Sequence, residues 1–222
     1  MNIIVISLKR AVDRRENMVK QLKNLPYFET TILDAVDGKL LSEEEKNKKI
    51  HLPFGYRYGE TFQPGEIACT MSHIKALQLA KEHNWNNVII LEDDVVLAED
   101  FPDRIRYMFD KLPKDWEHIY LSGIPRNGPN PAIPLFQILP SGFIECTHSM
   151  IVRNEAYDKI IDYLSKFETT TDDSYCELIK RGLKSFTCYP FCTYAKDNYT
   201  YIWNKPIIRE HKSKLWFVNK LF

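Results

Sequence analysis

Two short apolar runs, mostly β-branched, constrain this chain more than any other feature: Ile3-Ile4-Val5-Ile6 near the start, and Val88-Ile89-Ile90-Leu91. A strand with one wet face alternates apolar and polar residues. An unbroken apolar run of strand length is what a parallel strand covered on both faces carries. Parallel strands need long crossovers, and the intervening sequence has helical patterns to supply them. After the first run, Asp13 and Glu16 stand at capping-box spacing and Met18 and Leu22 share one helical face. Residues 30–33 read as a short strand ending in Asp34-Ala35-Val36-Asp37-Gly38, where the glycine permits a turn. Residues 42–50 open with Ser42 and Glu45, acids first and lysines last, which predicts a surface helix. Residues 64–83 start with Pro64 and place Ile67, Met71, Ile74 and Leu77 roughly on one helical face.

The alternation continues. Asp100 is positioned to cap a helix holding Ile105 and Met108, and residues 117–121 and 143–152 are strand-like. Asn154 can cap a helix bearing Ile160, Ile161 and Leu164, and a further helix ends near Gly182. Residues 123–140, with five prolines and two glycines, read mostly as loop. Residues 51–63 read as a flexible flap, and the last forty residues as aromatic and irregular. With 222 residues the expectation is one α/β domain built on a mixed, mainly parallel, Rossmann-like sheet flanked by helices.

Composition removes several function classes. The 30 basic and 30 acidic residues cancel, so overall charge points to no nucleic acid. No run of eighteen apolar residues occurs, so no membrane-spanning helix is expected. The opening apolar run precedes Lys9 and Arg10, the reverse of a signal peptide, and a cytoplasmic location is expected. Cys69, Cys146, Cys176, Cys188 and Cys192 lack C-x-x-C spacing and read as buried free thiols in a reducing compartment.

Chemistry is expected at Glu92-Asp93-Asp94, where three carboxylates follow a buried strand at the edge where open α/β sheets hold ligands. If the chain stays extended, Glu92 and Asp94 project to one side and Asp93 to the other. Two close carboxylates repel unless a cation neutralises them, and Mg²⁺ or Mn²⁺ binds through one or two carboxylates plus substrate phosphates. A solvated acidic turn is the alternative reading. Ser7-Leu8-Lys9-Arg10 follows the first strand in place of a glycine-rich phosphate loop, which argues against a dinucleotide site and a P-loop.

Four ordered segments resemble the family 25 glycosyltransferases, bacterial lipooligosaccharide enzymes related to collagen galactosyltransferases. They are Val5-Ile6-Ser7-Leu8 with Arg14-Arg15; Asp34-Ala35-Val36-Asp37-Gly38; Gly65-Glu66-Ile67-Ala68-Cys69 through Ser72-His73; and Leu91-Glu92-Asp93-Asp94. The resemblance implies a GT-A fold, a UDP-sugar donor with galactose the leading sugar, and inversion at the anomeric carbon. It implies Glu92 and Asp94 as ligands of Mn²⁺ (or Mg²⁺). The donor would contact Ser7, Leu8, Arg14, Asp34, Ala35, Ser72, His73 and Asp93. Arg14 in a surface ion pair and His73 as a core histidine are the bland alternatives.

Thr147 matches the family, whereas His148-Ser149-Met150 departs from it on the acceptor side. Asp172 or Asp173 is the candidate catalytic base, against simple helix capping, with Glu145 a weaker candidate. The acceptor is expected to be a glycan or lipid-linked oligosaccharide. The basic and aromatic tail, residues 203–222, either rests on the cytoplasmic face of the inner membrane or packs on its own domain. A nucleotidyltransferase acting on a sugar phosphate and a non-catalytic UDP- or glycan-binding module are the rival functions.

Overall fold

The computed structural model describes residues 1–23, 25, 27–51, 59–125, 137–141, 144–195, 198–200 and 205–207. In chain order, β1 (Asn2–Ser7) leads through α1 (Val12–Leu22) to β2 (Glu29–Asp34), a 3-10 turn (Gly38–Leu40), the single-turn α2 (Glu43–Lys46) and the long α3 (Pro64–Glu82). Next come β3 (Asn87–Glu92), β4 (Val95–Leu97), α4 (Phe101–Lys111), β5 (His118–Tyr120), β6 (Ile124–Pro125) and β7 (Gln137–Pro140). The last elements are β8 (Ile144–Glu145), β9 (Ser149–Arg153), α5 (Asn154–Leu164), α6 (Thr171–Lys180), β10 (Ser185–Tyr189), β11 (Thr193–Ala195) and a hairpin of β12 (Asn198–Thr200) with β13 (Lys205–Ile207).

Seven strands make the main sheet in the order β2-β1-β3-β9-β5-β10-β7. Five run one way and two, β9 and β7, run against them. The mainly parallel α/β sheet expected from the apolar runs is therefore present, and its mixed directions agree with the GT-A fold that the family resemblance implies. Among the described residues no helix separates β5 from β9, and a return without a crossover pairs antiparallel.

Side-chain alternation divides the interior into two layers. Ile4 and Ile6 of β1 and Val88 and Ile90 of β3 face α3, α5 and α6, packing on Leu77, Tyr157, Ile160 and Leu178. Ile3, Val5, Ile89 and Leu91 face the opposite way onto Met18 and Leu22 of α1 and Phe101, Ile105 and Met108 of α4. Each such side chain, fully buried, contributes about 1.5–3 kcal/mol. That double cover fixes β1 and β3, and both end at the same edge.

Local details differ from expectation for identifiable reasons. Asp13 lies inside α1 after Ala11 and makes no capping bond, so the expected Asp13/Glu16 box is absent. The Ser42/Glu45 box is present, but its helix ends after one turn at Lys46. Asp100 holds the N-cap position of α4 yet spends its carboxylate on the buried Arg104 one turn later, at 2.7 Å. Asn154 is the first residue of α5 rather than its cap; Arg153 holds the N-cap position, with no side-chain capping bond. Where one strand was expected there are two, Ile144–Glu145 and Ser149–Arg153. The proline-rich segment carries β7 at the sheet edge, where proline is tolerated, and the supposedly irregular last forty residues contain β10 and β11. Most of the proposed flap (52–58) and of the tail (203, 204 and 208–222) lie outside the described residues.

Gly38 marks where the β2 end meets α3. A Cβ added there would lie 2.8 Å from both the carbonyl carbon and oxygen of Pro64. Backbone cannot swing aside as a side chain can, so Gly38→Ala is expected to cost about 1–3 kcal/mol, the usual range for overpacking. Thermal unfolding checks this; an unchanged midpoint would show that the two segments are not in firm contact.

Candidate active site

A cavity of about 580 Å³ opens at the carboxyl ends of β1 and β3. Its wall is built from the chain segments leaving those strands, the β2 end, and the first turns of α3. Leu8, Arg14, Ala35, Ser72, His73, Glu92, Asp93 and Asp94, all singled out from the sequence, line it. Ser7, Asp34, Asp172 and Asp173 do not.

The acidic run does not stay extended as the alternation reading required, yet its first two carboxylates still part. β3 ends at Glu92, and Asp93-Asp94 form the turn into β4. Glu92 points toward α3, where its Oε1 lies 3.2 Å from His73 Nε2 and accepts from the Cys69 thiol at 3.9 Å. Asp93 points the other way. It accepts from the buried Ser7 hydroxyl at 2.6 Å and from Arg14 Nη1 at 2.9 Å. Burial raises the Asp93 carboxyl above its ordinary pKa, and the bonds from Ser7 and Arg14 work against that rise. Ser7 and Arg14 thus fasten Asp93 rather than stand apart from it. Asp94, set by the turn, lines the same cavity.

The β2 side is held by a second set of contacts. Ser72, one α3 turn from Ala68, donates to the Ala68 carbonyl at 2.6 Å and accepts from the Val36 amide at 2.9 Å, so its hydroxyl ties the Ala35-Val36 segment to α3. Asp34 lies at the rim with Arg15 at 2.6 Å and Lys9 at 3.5 Å. The Arg15 hydrogen bond holds its carboxyl below the usual range. Arg10 grips Asp37 with two bonds, 2.6 and 3.3 Å, and both line the cavity along with Lys39 and Lys46.

The two aspartates of α6 are not equivalent. Asp172 accepts from the Cys146 amide at 2.9 Å and the Thr147 hydroxyl at 3.0 Å. Burial is the main reason its pKa is raised; those bonds oppose the rise, while the charge of Glu92 adds to it. Asp173 accepts from Thr170 at 3.1 Å, within its own helix start. Glu145 sits half-buried on β8. His148, where the sequence leaves the family pattern, is buried against Ser122, which also bonds Ser149 and Thr193 at 3.0 Å each.

Sequence reasoning missed Cys69 and treated it as an inert buried thiol. It lines the cavity beside His73 and Glu92, and burial together with the Glu92 charge pushes its thiol pKa well above ordinary. The available signal was its spacing: residues four apart on a helix share a face.

Among the described residues no helix is long and apolar enough to cross a membrane. A family model described as glycosyltransferase family 25 (LPS biosynthesis protein) matches residues 1–175. Human procollagen galactosyltransferase 2 is 32% identical over 126 residues, covering 54% of this chain and 20% of the relative. Human inactive glycosyltransferase 25 family member 3 is 31% identical over 126 residues, covering 54% and 21%. The chain thus spans about a fifth of the length of these relatives. A glycosyltransferase that acts in glycosylation of the PBCV-1 major capsid shares the GT-A architecture, with a TM-score of 0.53 at 8% identity over 84% of this chain and 79% of that one. The family match runs from β1 through α3 and the acidic turn into α6, taking in every segment that walls the cavity, and the chain belongs to glycosyltransferase family 25.

Proposed function

We propose that this chain is an inverting hexosyltransferase that moves a sugar, galactose foremost, from a UDP-sugar to a glycan acceptor such as a lipooligosaccharide. The carrying observation is the composition of one cavity, lined by Glu92, Asp93 and Asp94 together with Arg10, Arg14, Lys39 and Lys46. Cations suit a diphosphate, and clustered oxygen donors suit a hard divalent ion. Residues 1–222 act as one catalytic domain in this reading, working at the cytoplasmic side where nucleotide sugars are made available.

The donor set fits Mn²⁺ or Mg²⁺, held by Asp94 with Glu92 directly or through water. When bound, such an ion supplies charge neutralisation for the departing diphosphate. The protein does the rest. Asp93, fixed by Ser7 and Arg14, keeps the turn in place, and Leu8 and Ala35 give the cavity its apolar floor for the base. Asp172 takes the proton of the attacking acceptor hydroxyl, so one displacement inverts the anomeric centre. Of the two candidate bases, Asp172 is favoured because it faces the Cys146-Thr147 segment and feels the charge of Glu92, while Asp173 is held by Thr170 within its own helix start.

Incubation with a set of UDP-sugars and Mn²⁺ tests the reading. Metal-dependent release of UDP, fastest with UDP-galactose, is the expected result. UDP binding without turnover of any donor would favour a non-catalytic module, a reading supported by the human relative whose name describes it as inactive. Consumption of a nucleoside triphosphate with pyrophosphate release would instead indicate a nucleotidyltransferase.

A further inference from the structure

Three side chains on the cavity wall have the make-up of a site with different donor chemistry. Cys69 and His73, one turn apart on α3, present sulfur and nitrogen to the same place, and Glu92 meets both from the end of β3. Cys69 Sγ lies 3.9 Å and His73 Nε2 3.2 Å from Glu92 Oε1, and the three ligand atoms all lie within 4.8 Å of one another. We propose that Cys69, His73 and Glu92 form a binding site for a borderline-soft divalent cation of the zinc class.

Geometry and donor type agree on the class. Tetrahedral zinc, with bonds of about 2.3 Å to sulfur and about 2.0–2.1 Å to nitrogen and oxygen, separates its ligand atoms by roughly 3.3–3.6 Å. The two separations from Glu92, 3.9 and 3.2 Å, are already close to that, and the third is within 4.8 Å. A thiolate and an imidazole prefer zinc to magnesium, which favours oxygen alone. His73 is fully buried, whereas Cys69 and Glu92 are half-buried and line the cavity. Three protein ligands beside an open space leave a fourth position reachable by water or a phosphate oxygen.

The surroundings permit the change from empty to loaded. His73 Nδ1 has no hydrogen-bond partner among the described residues, so no contact behind the ring commits the proton to Nε2. Moving it to Nδ1 turns the Nε2 lone pair toward the cation. Binding of the cation releases to solvent the Cys69 thiol proton now shared with Glu92, and the Thr171 hydroxyl, which donates to Cys69 Sγ at 3.6 Å, is an outer contact to the resulting thiolate. Because Glu92 also borders Asp94, zinc here withdraws a carboxylate from the oxygen site. The inference stands on these three side chains and does not require the chain to transfer sugar.

The test uses the full chain, stripped with chelator, and no sugar donor. Zn²⁺ is titrated against a chromophoric competitor, and Co²⁺ is added separately to read its thiolate charge-transfer absorption. Expected is one tight Zn²⁺ per chain, weakened roughly 100-fold or more in Cys69→Ser and in His73→Gln by loss of a ligand. The cobalt–thiolate band should vanish in Cys69→Ser and persist in Cys188→Ser, whose sulfur lies 3.4 Å from that of Cys192. Circular dichroism of each metal-free variant shows that it is folded, and His73→Gln carries the test if Cys69→Ser is not. Equal zinc affinity in the wild type and a folded ligand variant, or a cobalt band that depends on Cys188 instead, would overturn the site.

Discussion

Asp94→Asn is expected to reduce transfer from the UDP-sugar by about 10²–10³-fold, the rate equivalent of losing roughly 3–4 kcal/mol of charge stabilisation at the leaving diphosphate. An amide keeps the shape but not the charge, so the fold should be untouched. Asp94 sits in the turn after β3, outside both packed layers, and the melting temperature should stay within a degree or so of wild type. The wild-type chain in excess chelator should fall to a similar residual rate and recover on adding Mn²⁺. Steady-state transfer assays with and without chelator decide the matter: undiminished activity in either condition removes the metal from the reading.

The second large effect concerns the base. Asp172→Asn should lower kcat by about 10²–10⁴-fold, the span over which general base catalysis contributes, while Asp173→Asn changes it little. The pH profile makes the assignment specific. A base works only when deprotonated, so activity falls as pH drops through its pKa. Burial raises that value for Asp172, which puts the acid limb above the pH expected of an ordinary aspartate. In Asp172→Asn the residual activity should lose that limb. A variant that keeps both its rate and its acid limb would show that Asp172 serves only to hold Cys146 and Thr147.

Much of the architecture was written in the residues themselves. Ile3 to Ile6 and Val88 to Leu91 leave no polar face, and each is indeed covered on both sides. Alternation placed Glu92 and Asp93 on opposite sides, and their hydrogen bonds to His73 and to Ser7 fall that way. Strand direction was not legible. Met150 to Val152 is as apolar as the strands it lies between, β3 and β5, and no periodicity distinguishes a reversed central strand from a forward one. Proline at Pro140 hid an edge strand, because an edge can spare the amide that proline lacks.

The site was legible as a set of motifs more than as roles. Ser7 carries no sign in sequence that its hydroxyl is spent on an aspartate eighty-six positions later. Ser72 likewise gives no hint that it is a strut between α3 and Val36. Such pairings arise when distant strands meet at one edge, and only tertiary packing creates them. Asp172 and Asp173 are indistinguishable by composition, and separate only once Cys146 and Thr147 are brought against one of them.

The doubly covered β3 has a consequence for anyone who wishes to retune the proposed activity. Its last residues deliver one acid to the α3 layer and the next to the α1 layer, so each layer is a separate handle on the same turn. A library varied beneath α3 would shift the partner of His73 and leave the arginine clamp alone; one varied beneath α1 would do the reverse. The proposed donor preference and turnover can then be approached from two sides without touching a single cavity-lining residue.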